Sequence, residues 1–426
     1  MSTTSASDLL AFISASPSPY HCVAEAARRL EAAGFTELAE GEDFGLLRGG
    51  DRHYVRRDGS LVAFVVGVGA PAAAGYRIVG AHTDSPGLRL KPLPDNASEG
   101  YRRWGVEVYG GALLYTWFDR DLGLAGRVML RGSDTPRLLR IDRPIARVPS
   151  LAIHLNRQIN EEGFKVNTQS HLPPVLGLLG EDPATLRGLV AQQLDCAGAD
   201  ILGFDLSLFD VSPPSIGGVD QDFVFAPRLE NQASCYAAIE GICSSDAPGD
   251  ATAVAALFDH EECGSLSATG ADSAFFELIL RRVELAHEHA AAAGPFRAAG
   301  RSLMVSADMA HGVHPNYADR HEPQHKPMLN GGVVIKTNVN NRYATTGVTA
   351  AAVAAACEVE GVGCQNFVTR TDLACGTTIG PIGSARLAIP TVDVGCAMLS
   401  MHSIREMAGA KDVTPYARVI ARLLST

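Results

Sequence analysis

Close pairs of cysteines, long apolar runs and a basic leader are all missing from this sequence. Its nine cysteines include no C-x-x-C pair, and thiolate metal sites usually contain such pairs. We therefore expect reduced, mostly buried thiols. No apolar run approaches the ~18 residues that a membrane span requires. The first basic residue is Arg28, so no secretory signal is predicted and a cytoplasmic location is expected.

An excess of basic charge is missing as well. The 36 lysines and arginines are outnumbered by 47 aspartates and glutamates, which gives a formal net charge of −11. Nucleic-acid backbones are bound mainly through clustered Lys and Arg, so neither a nucleic acid nor a membrane is a predicted partner. A small basic pocket inside an acidic protein stays compatible with this composition. Hydrophobic residues make up 46% of the chain, which excludes a largely disordered protein.

The pattern of predicted elements changes twice along the chain. Near both ends, strand-like runs alternate with helical periodicity, which is typical of a mainly parallel central sheet flanked by helices. Between these parts, short β-rich runs alternate with Gly, Pro and Asp turns, apart from one predicted helix at 183–196. We therefore predict an α/β fold with a discontinuous domain of residues 1–90 and 223–426. An inserted β-rich domain of residues 91–222 interrupts it.

Acidic and imidazole side chains follow four of the predicted strands. Ligands of open α/β sheets bind at the carboxyl ends of the strands, so these residues are expected at one edge. One such residue alone is usually a turn or capping residue, but four strands together predict a metal centre. The residues that follow strands 76–81, 252–258, 302–306 and 391–397 are His82 and Asp84, Glu261 and Glu262, Asp308, and His402.

Histidines and carboxylates suit zinc, manganese or cobalt and need no thiolate. Two such ions at a separation of ~3.5–4 Å would share one bridging carboxylate. Asp84 lies two residues after His82, so its carboxylate can hydrogen-bond that imidazole and fix its tautomer. In the pair Glu261-Glu262, one carboxylate would bind metal and the other would accept a proton from water. The alternative for this pair is a solvated helix start.

Three other segments leave alternatives open. The first contains His311, His314, His321 and His325. We expect these histidines to line the mouth of a site or to contact another subunit, the alternative being an independent metal site. The glycine-rich segment 376–380 lacks the Lys-Ser/Thr of a phosphate loop. It is predicted either to cradle a substrate group or to form an ordinary strand-to-helix turn. Arg342 and Tyr343 are either additional site residues or plain strand residues.

Seven segments of the chain resemble the M18 aspartyl aminopeptidases. They are, in order, GAHTDSPGLRLKP (80–92), WFDRDLGLAGRV (117–128), IHLNRQIN (153–160), APRLENQASC (226–235), DHEECGS (259–265), SADMAHGVHPNY (306–317) and IKTNVNNRYAT (335–345). The match extends from SPSPYH (16–21) to MHSIREMAG (401–409). The resemblance implies an aminopeptidase that removes acidic N-terminal residues with two metal ions, usually zinc. It also implies a tetrahedral homododecamer and an inserted β-rich domain that serves dimerisation and oligomerisation.

The resemblance also implies roles for individual residues. It implies metal ligands at His82, Glu262, Asp308 and His402. Glu261 matches the general base, and Asp84 matches the carboxylate that orients the imidazole. His154 matches a histidine that reaches a neighbouring subunit's active site and contacts substrate, or metal, there. Lys336 matches a basic residue near the acidic side chain of the substrate.

One position departs from the family pattern. Where the family usually has an aspartate that bridges the two metals, this chain has Glu230. The extra methylene adds ~1.5 Å of reach, and we expect Glu230 to bridge nonetheless. Two alternatives to an aminopeptidase stay open. A self-assembling shell protein of low activity would keep the fold and have an impaired metal centre. A two-metal deacylase or carboxypeptidase would use the same ligands on another substrate.

Overall fold

The computed structural model describes residues 5–181, 184–244, 248–290 and 297–425. It divides into two compact units. The first contains Met1–Asp84, Pro214–Met401 and Glu406–Thr426, and the second contains Ser85–Pro213 and His402–Arg405. Within the described residues, no helix is long and apolar enough to cross a membrane.

The boundaries of the two units differ by several residues from the predicted domain boundaries. The second unit begins before residue 91 because Gly87–Ser98 is already a strand of its sheet. It ends before residue 222 because Ser215–Gly217 pairs with Phe223–Ala226, which pairs in turn with Glu406–Gly409 of the first unit. The predicted boundary at residue 90 therefore lies inside the strand Gly87–Ser98. The boundary at residue 223 coincides with the start of the strand Phe223–Ala226, which belongs to the first unit.

The strands are numbered in chain order. They are β1 (Thr36–Glu37), β2 (Arg52–Arg57), β3 (Ser60–Val65), β4 (Tyr76–His82), β5 (Gly87–Ser98), β6 (Tyr101–Tyr109), β7 (Leu122–Leu130), β8 (Arg137–Ala146), β9 (Val175–Leu178), β10 (Ile201–Asp210), β11 (Ser215–Gly217), β12 (Phe223–Ala226), β13 (Thr252–Phe258), β14 (Leu303–Ala307), β15 (Ala310–His311), β16 (Val333–Lys336), β17 (Cys364–Phe367), β18 (Thr391–Leu399) and β19 (Glu406–Gly409).

The helices are numbered in the same way. They are α1 (Ala6–Ala15), α2 (Pro19–Ala32), α3 (Pro71–Ala74), α4 (Ile159–Glu162), α5 (Leu186–Leu194), α6 (Leu229–Cys243), α7 (Phe275–Ala286), α8 (Gly347–Glu360), α9 (Ile379–Leu387) and α10 (Val413–Ser425). Short helical turns span Leu114–Trp117, Ile153–Leu155, Gly198–Asp200, Glu261–Cys263, Ala299–Arg301 and Ala318–Arg320.

The first unit is built on one large mixed sheet with a parallel centre. Its main strand order is β1-β2-β3-β13-β4-β14-β18-β19-β12-β11, and β15, β16 and β17 attach beside β18. The neighbours β13, β4, β14 and β18 run parallel, whereas β3 and β19 are antiparallel to this centre. The predicted α/β fold with a mainly parallel central sheet is confirmed.

The sequence of β3 shows why the sheet is covered on both faces. All its residues are buried, as expected for a strand between two layers of helices. Alternate residues enter different cores: Leu61 and Ala63 pack with α1, α2, α6 and α10, whereas Val62 and Phe64 pack with α7 and α9. The two-residue period of the strand thus supplies both cores from one apolar run.

The second unit is the β-rich part of the chain. Its six strands form an antiparallel sheet in the order β8-β7-β10-β5-β6-β9, and α5 packs Leu186, Val190 and Leu194 into its core. The helix predicted at 183–196 is therefore shorter. Residue 183 lies outside the described residues, and Asp195 ends the helix in a left-handed conformation. The inserted β-rich fold is confirmed.

Candidate metal centre

Three parallel neighbours of the first sheet deliver the predicted residues to one edge. β4 ends at His82, and β13 ends just before Asp259 and the turn Glu261–Cys263. β14 ends just before Asp308. Since these strands are adjacent in the order β13-β4-β14, their carboxyl ends meet at the same place, as the strand-end rule predicts.

Side chains from these strand ends and from α6 converge on a small volume. Ligand atoms of His82, Glu230 and Glu262 lie within 4.8 Å of one another. The His82 Nε2 atom is 3.1 Å from Glu230 Oε1 and 3.6 Å from Asp308 Oδ2. We call His82, Glu230, Glu262 and Asp308 the metal-ligand cluster. One imidazole and several carboxylates at this spacing fit the donor set that zinc prefers.

The imidazole of His82 is fixed by the residue that follows the strand end. Its Nδ1 atom is 3.1 Å from the backbone carbonyl of Asp84 and 3.4 Å from the carboxylate Oδ1. A carbonyl oxygen can only accept, so Nδ1 carries the proton and Nε2 faces Glu230 and Asp308. Burial opposes a charge on this ring, but Glu230, Asp308 and Asp84 raise the pKa of His82 well above its usual value.

Asp84 has a second set of partners that the sequence did not reveal. Its Oδ1 accepts the backbone N–H of Glu261 at 3.1 Å, and its Oδ2 accepts that of Glu262 at 3.0 Å. One buried carboxylate therefore holds the turn that presents both glutamates. The contacts join residues that are 177 and 178 positions apart, so no local pattern could have predicted them.

Glu230 is held in place by the irregular start of α6. Glu230 and Asn231 have non-helical backbone angles, and the peptide bond between them is cis. The backbone N–H of Glu230 donates to Glu406 Oε2 at 2.9 Å, and Asn231 Nδ2 donates to the Ala307 carbonyl at 2.8 Å. β19 and β14 thus fix the position from which the Glu230 carboxylate reaches His82.

Glu261 differs electrostatically from an ordinary glutamate. Burial raises its pKa, the His82 imidazole lowers it, and the carboxylates of Asp308, Glu262 and Glu230 raise it further. The resulting pKa of Glu261 is about 8. A divalent cation compensates such an accumulation of negative charge. A carboxyl group of this pKa is also suited to exchanging protons near neutral pH.

Lys336, which the resemblance places near the acidic side chain of the substrate, is a buried residue of β16. It is 2% exposed, and its Nζ atom donates to Asp308 Oδ1 at 2.6 Å and to the Met309 carbonyl at 3.3 Å. The ammonium also lies 5.1 Å from the centre of the Tyr343 ring. A buried ammonium requires such a partner. The contact between Lys336 and Asp308 joins the end of β16 to the end of β14, and these two strands are not adjacent in the sheet.

The other two predicted site residues belong to the second unit. His402 lies in its segment His402–Arg405, and the ring Nδ1 is 3.1 Å from the Gly111 carbonyl of the same unit. His154 is exposed in the turn Ile153–Leu155. The structure therefore brings together His82, Glu230, Glu262 and Asp308 in the first unit, and describes His402 and His154 within the second.

Three of the four histidines between residues 311 and 325 line a cavity. His311, His314 and His321 line a cavity of about 310 Å³ whose wall also includes Arg320 and Arg370. His325 is paired with Glu322 instead. Among the described residues, these histidines do not form a group with converging ligand atoms. The expectation that they line a site therefore remains the better interpretation.

The secondary structure of the two remaining segments bears on their alternatives. Thr378 caps α9: its hydroxyl accepts the Gly380 N–H at 3.2 Å and donates to the buried Asp393. The segment 376–380 thus leads into a helix, as one alternative predicts, and its contact with a substrate group stays a prediction. Arg342 and Tyr343 are not strand residues, since β16 ends at Lys336. The Tyr343 ring instead lies between Lys336 and the histidine-lined cavity.

A buried imidazole, several converging carboxylates and an additional glutamate of raised pKa are features that metallohydrolase sites share. Comparison with known proteins agrees. The model of the family described as Aminopeptidase I zinc metalloprotease (M18) matches residues 12–422. The chain belongs to this M18 family and is a metalloaminopeptidase, so the resemblance seen in the sequence is confirmed.

Individual relatives match over almost their full length. Probable M18 family aminopeptidase 2 of Streptomyces coelicolor is 47% identical over 427 residues, covering 98% of this chain and 96% of the relative. The protein of the same name from Pseudomonas aeruginosa is 46% identical over 419 residues, covering 97% and 96%.

Solved structures also match nearly the whole of this chain. The Ape4 chain from a complex with Nbr1 has a TM-score of 0.94 and 37% identity, covering 99% of this chain and 85% of that chain. The mApe1 dodecamer of S. cerevisiae has a TM-score of 0.85 and 28% identity, covering 98% and 95%.

Proposed function

We propose that this metalloaminopeptidase uses two divalent ions per subunit to remove acidic residues, Asp or Glu, from the amino termini of peptides. The convergence of His82, Glu230, Glu262 and Asp308 beside Glu261 carries the proposal. Zinc is the preferred metal because the family is a zinc metalloprotease family, with manganese or cobalt as alternatives.

Each residue has a role in the proposed mechanism. The residues that would hold the two ions are His82, Glu230, Glu262, Asp308 and His402, with Glu230 as the bridge. When bound, such ions act as Lewis acids on the scissile carbonyl and activate water. Glu261 accepts a proton from the attacking water and passes it to the leaving amine. Asp84 holds the imidazole of His82 and the backbone of the Glu261 turn.

The proposed acidic preference has two sources of support. An ammonium has three N–H donors, and the hydrogen bonds of Lys336 to Asp308 and Met309 use two of them. The third is proposed to meet the acidic side chain of the substrate. Beyond the Tyr343 ring, the cavity lined by imidazoles and guanidinium groups provides a wall of positive or proton-donating character.

We further propose a homo-oligomeric assembly, a tetrahedral dodecamer, acting in the cytoplasm. The relative mApe1 forms a dodecamer, and this chain aligns with it over 98% of its length. In this proposal, the second unit serves dimerisation and oligomerisation. The exposed His154 completes the site of a neighbouring subunit, where it contacts substrate or metal.

The proposed function is tested by metal analysis and a panel of aminoacyl anilides. The parent should hold two ions per chain and cleave Asp and Glu substrates at least tenfold faster than Leu or Ala substrates, since one charge contact is worth about that much. Lys336→Met should reduce the rates on Asp and Glu far more than those on Leu and Ala. Lys411→Met is a matched control, because Lys411 also pairs with an aspartate at 2.6 Å but is exposed.

Three results would contradict the proposal. They are one ion at saturation, a preference of the parent for Leu, and a uniform loss of rate in Lys336→Met together with lost metal. The last would show that Lys336 acts only through Asp308, and that the acidic preference needs another source.

A further inference from the structure

A buried aspartate of β18 joins two segments of the first unit that are remote in sequence. Asp393 is fully buried, and in the sheet it lies between Ser306 of β14 and Lys336 of β16. Its Oδ2 atom accepts the Ala344 backbone N–H at 2.6 Å, and its Oδ1 atom accepts the Thr378 hydroxyl. Each carboxylate oxygen therefore holds a different part of the chain.

The first of these parts presents the Tyr343 ring. Ala344 directly follows Tyr343, and the backbone N–H of Asp393 donates to the Thr345 hydroxyl at 2.9 Å. The ring lies 5.1 Å from the Lys336 ammonium and belongs to the wall of the histidine-lined cavity. Tyr343 lies outside the strands and helices, so the contacts of Asp393 with the next two residues help to fix the place of its ring.

The second part is the start of α9. The Thr378 hydroxyl that donates to Asp393 also accepts the Gly380 N–H at 3.2 Å and thereby caps the helix. A Cβ atom on Gly380 would lie 2.5 Å from Asp393 Oδ2, so the helix start packs directly on the carboxylate. Gly376, two residues before Thr378, lines the same cavity as Tyr343. One buried carboxylate thus supports two parts of one cavity wall.

We propose that Asp393 is a positioning residue that sets the substrate affinity of this aminopeptidase. It is not among the described residues that line the cavity. Its hydrogen bonds instead hold Tyr343 and the segment 376–380 in the cavity wall. This role rests on the proposed function, which places the first residue of the peptide at this wall. Substrate binding should therefore depend on Asp393, whereas the reaction at the metal-ligand cluster should not.

The test is steady-state kinetics of the assembled, metal-loaded protein, on the aminoacyl anilide that the parent cleaves fastest. Asp393→Ala leaves two buried donors without an acceptor and should raise KM about tenfold. Metal content should stay unchanged, and kcat should stay within about twofold of the parent value. Asp393→Asn can still accept from Ala344 and can donate to the Thr378 oxygen, so its KM should lie within about threefold of the parent value.

Asp412 supplies the matched control. It is also buried and accepts two backbone N–H groups, from Asn330 at 2.6 Å and from Gly332 at 2.8 Å. Neither of these residues is among those described around the cavity. Asp412→Ala should therefore lower the melting temperature, because it also leaves buried donors unpaired, but KM should stay at the parent value.

A double variant tests whether Asp393 acts through the Tyr343 ring. The effects of Asp393→Ala and Tyr343→Ala on KM should combine to less than their product, because residues that act through one contact are not additive. If Asp393→Ala does not fold, Thr378→Val, which removes one of the two hydrogen bonds, should still raise KM about threefold.

The role of Asp393 is overturned if KM is unchanged in Asp393→Ala and in Thr378→Val, if Asp393→Asn is impaired as strongly as Asp393→Ala, or if the effects of Asp393→Ala and Tyr343→Ala multiply fully. Loss of metal and of kcat at unchanged KM would also overturn it. A parent that holds one ion or prefers Leu would instead contradict the proposed function. The KM values of the variants would still be measured on the preferred substrate, so the two failures are distinguishable.

Discussion

Two charged clusters, each at least partly buried, contact the same helix, α6, and their charges are balanced differently. The metal-ligand cluster includes Glu230 at the start of the helix. Near the other end, Glu240 joins a second cluster, the Arg29 cluster, in which Arg29 contacts Glu240 at 2.9 Å, Asp8 at 2.8 Å and Glu25 at 2.8 Å. Both clusters gather carboxylates under the same helix, but only the second supplies a guanidinium at its centre.

This difference in charge balance changes the pKa values of the carboxyl groups in the two clusters. Burial alone would raise the pKa of Asp8 and Glu25, but hydrogen bonds and charge from the arginines lower both values. In the metal-ligand cluster, Lys336 offsets Asp308 alone, and the pKa of Glu261 rises to about 8. The carboxylates of the Arg29 cluster are therefore held in their charged form by a guanidinium of the chain itself, whereas the metal-ligand cluster, in the proposed function, receives a cation from outside.

The strongest test of this contrast concerns the base. Glu261→Gln keeps the shape of the side chain and removes the proton acceptor, so kcat should fall by roughly 10²–10⁴-fold while metal content stays unchanged. Glu240→Gln, the corresponding change in the Arg29 cluster, should leave kcat and metal content near those of the parent. Near-normal turnover of Glu261→Gln would show that Glu261 is not the base.

A second test concerns the departure at position 230. Glu230→Ala should lose close to one ion per chain and at least about tenfold in rate, because a bridging carboxylate offsets the repulsion between two dications. Glu230→Asp should hold two ions and match or exceed the parent's rate. Metal titration and steady-state kinetics measure both effects. If the parent holds at most one ion under saturating zinc, manganese and cobalt while Glu230→Asp holds two, Glu230 does not bridge.

The smallest effect on activity is expected from the Arg29 cluster. Arg29→Met should leave kcat/KM unchanged and lower the free energy of unfolding by about 1–3 kcal/mol, since it removes charged hydrogen bonds from partly buried carboxylates. Urea unfolding measures this. Arg56→Met is the control, because the Arg56–Glu37 pair is exposed and should contribute at most about 1 kcal/mol.

The difference in unfolding free energy between the parent and Arg29→Met should depend on pH, because Asp8 and Glu25 have shifted pKa values. The pKa values of Asp8 and Glu25 are lower in the folded protein than the ordinary 3.8 and 4.5. Groups of this kind stabilise the fold above their ordinary pKa and lose the contribution as pH falls through the folded pKa. The gap between parent and Arg29→Met should therefore be full at pH 7 and shrink towards pH 3. A gap that does not change with pH would mean that Arg29 acts through packing alone.

The parts of the site that follow one local rule were predictable from the sequence. His82 ends one buried strand, Glu262 and Asp308 follow two others, and parallel strands carry such residues to one edge. The start of helix α1 also follows a local rule, because Ser5 caps it and its side chain accepts the Asp8 N–H. The serine cap before the apolar residues of α1 was a usable signal.

Other contacts could not be predicted because they join distant parts of the chain. The Lys336–Asp308 pair depends on how β16 packs near β14, and the Asp84 hydrogen bonds to Glu261 and Glu262 depend on the register between β4 and β13. A sequence pattern specifies which face a side chain takes along its own strand. It does not specify the partner that folding brings to that face.

The Asp84 carboxylate binds the main chain of positions 261 and 262 and leaves their side chains free of this task. The shape of the turn Glu261–Cys263 thus depends on a residue outside it. Replacing the side chain of either glutamate should preserve the turn, because Asp84 binds only the backbone N–H groups there. The side chains at positions 261 and 262 can therefore be exchanged without changing the backbone that presents them. Replacing Asp84 would instead disturb both positions at once, however well the new side chains at 261 and 262 were chosen.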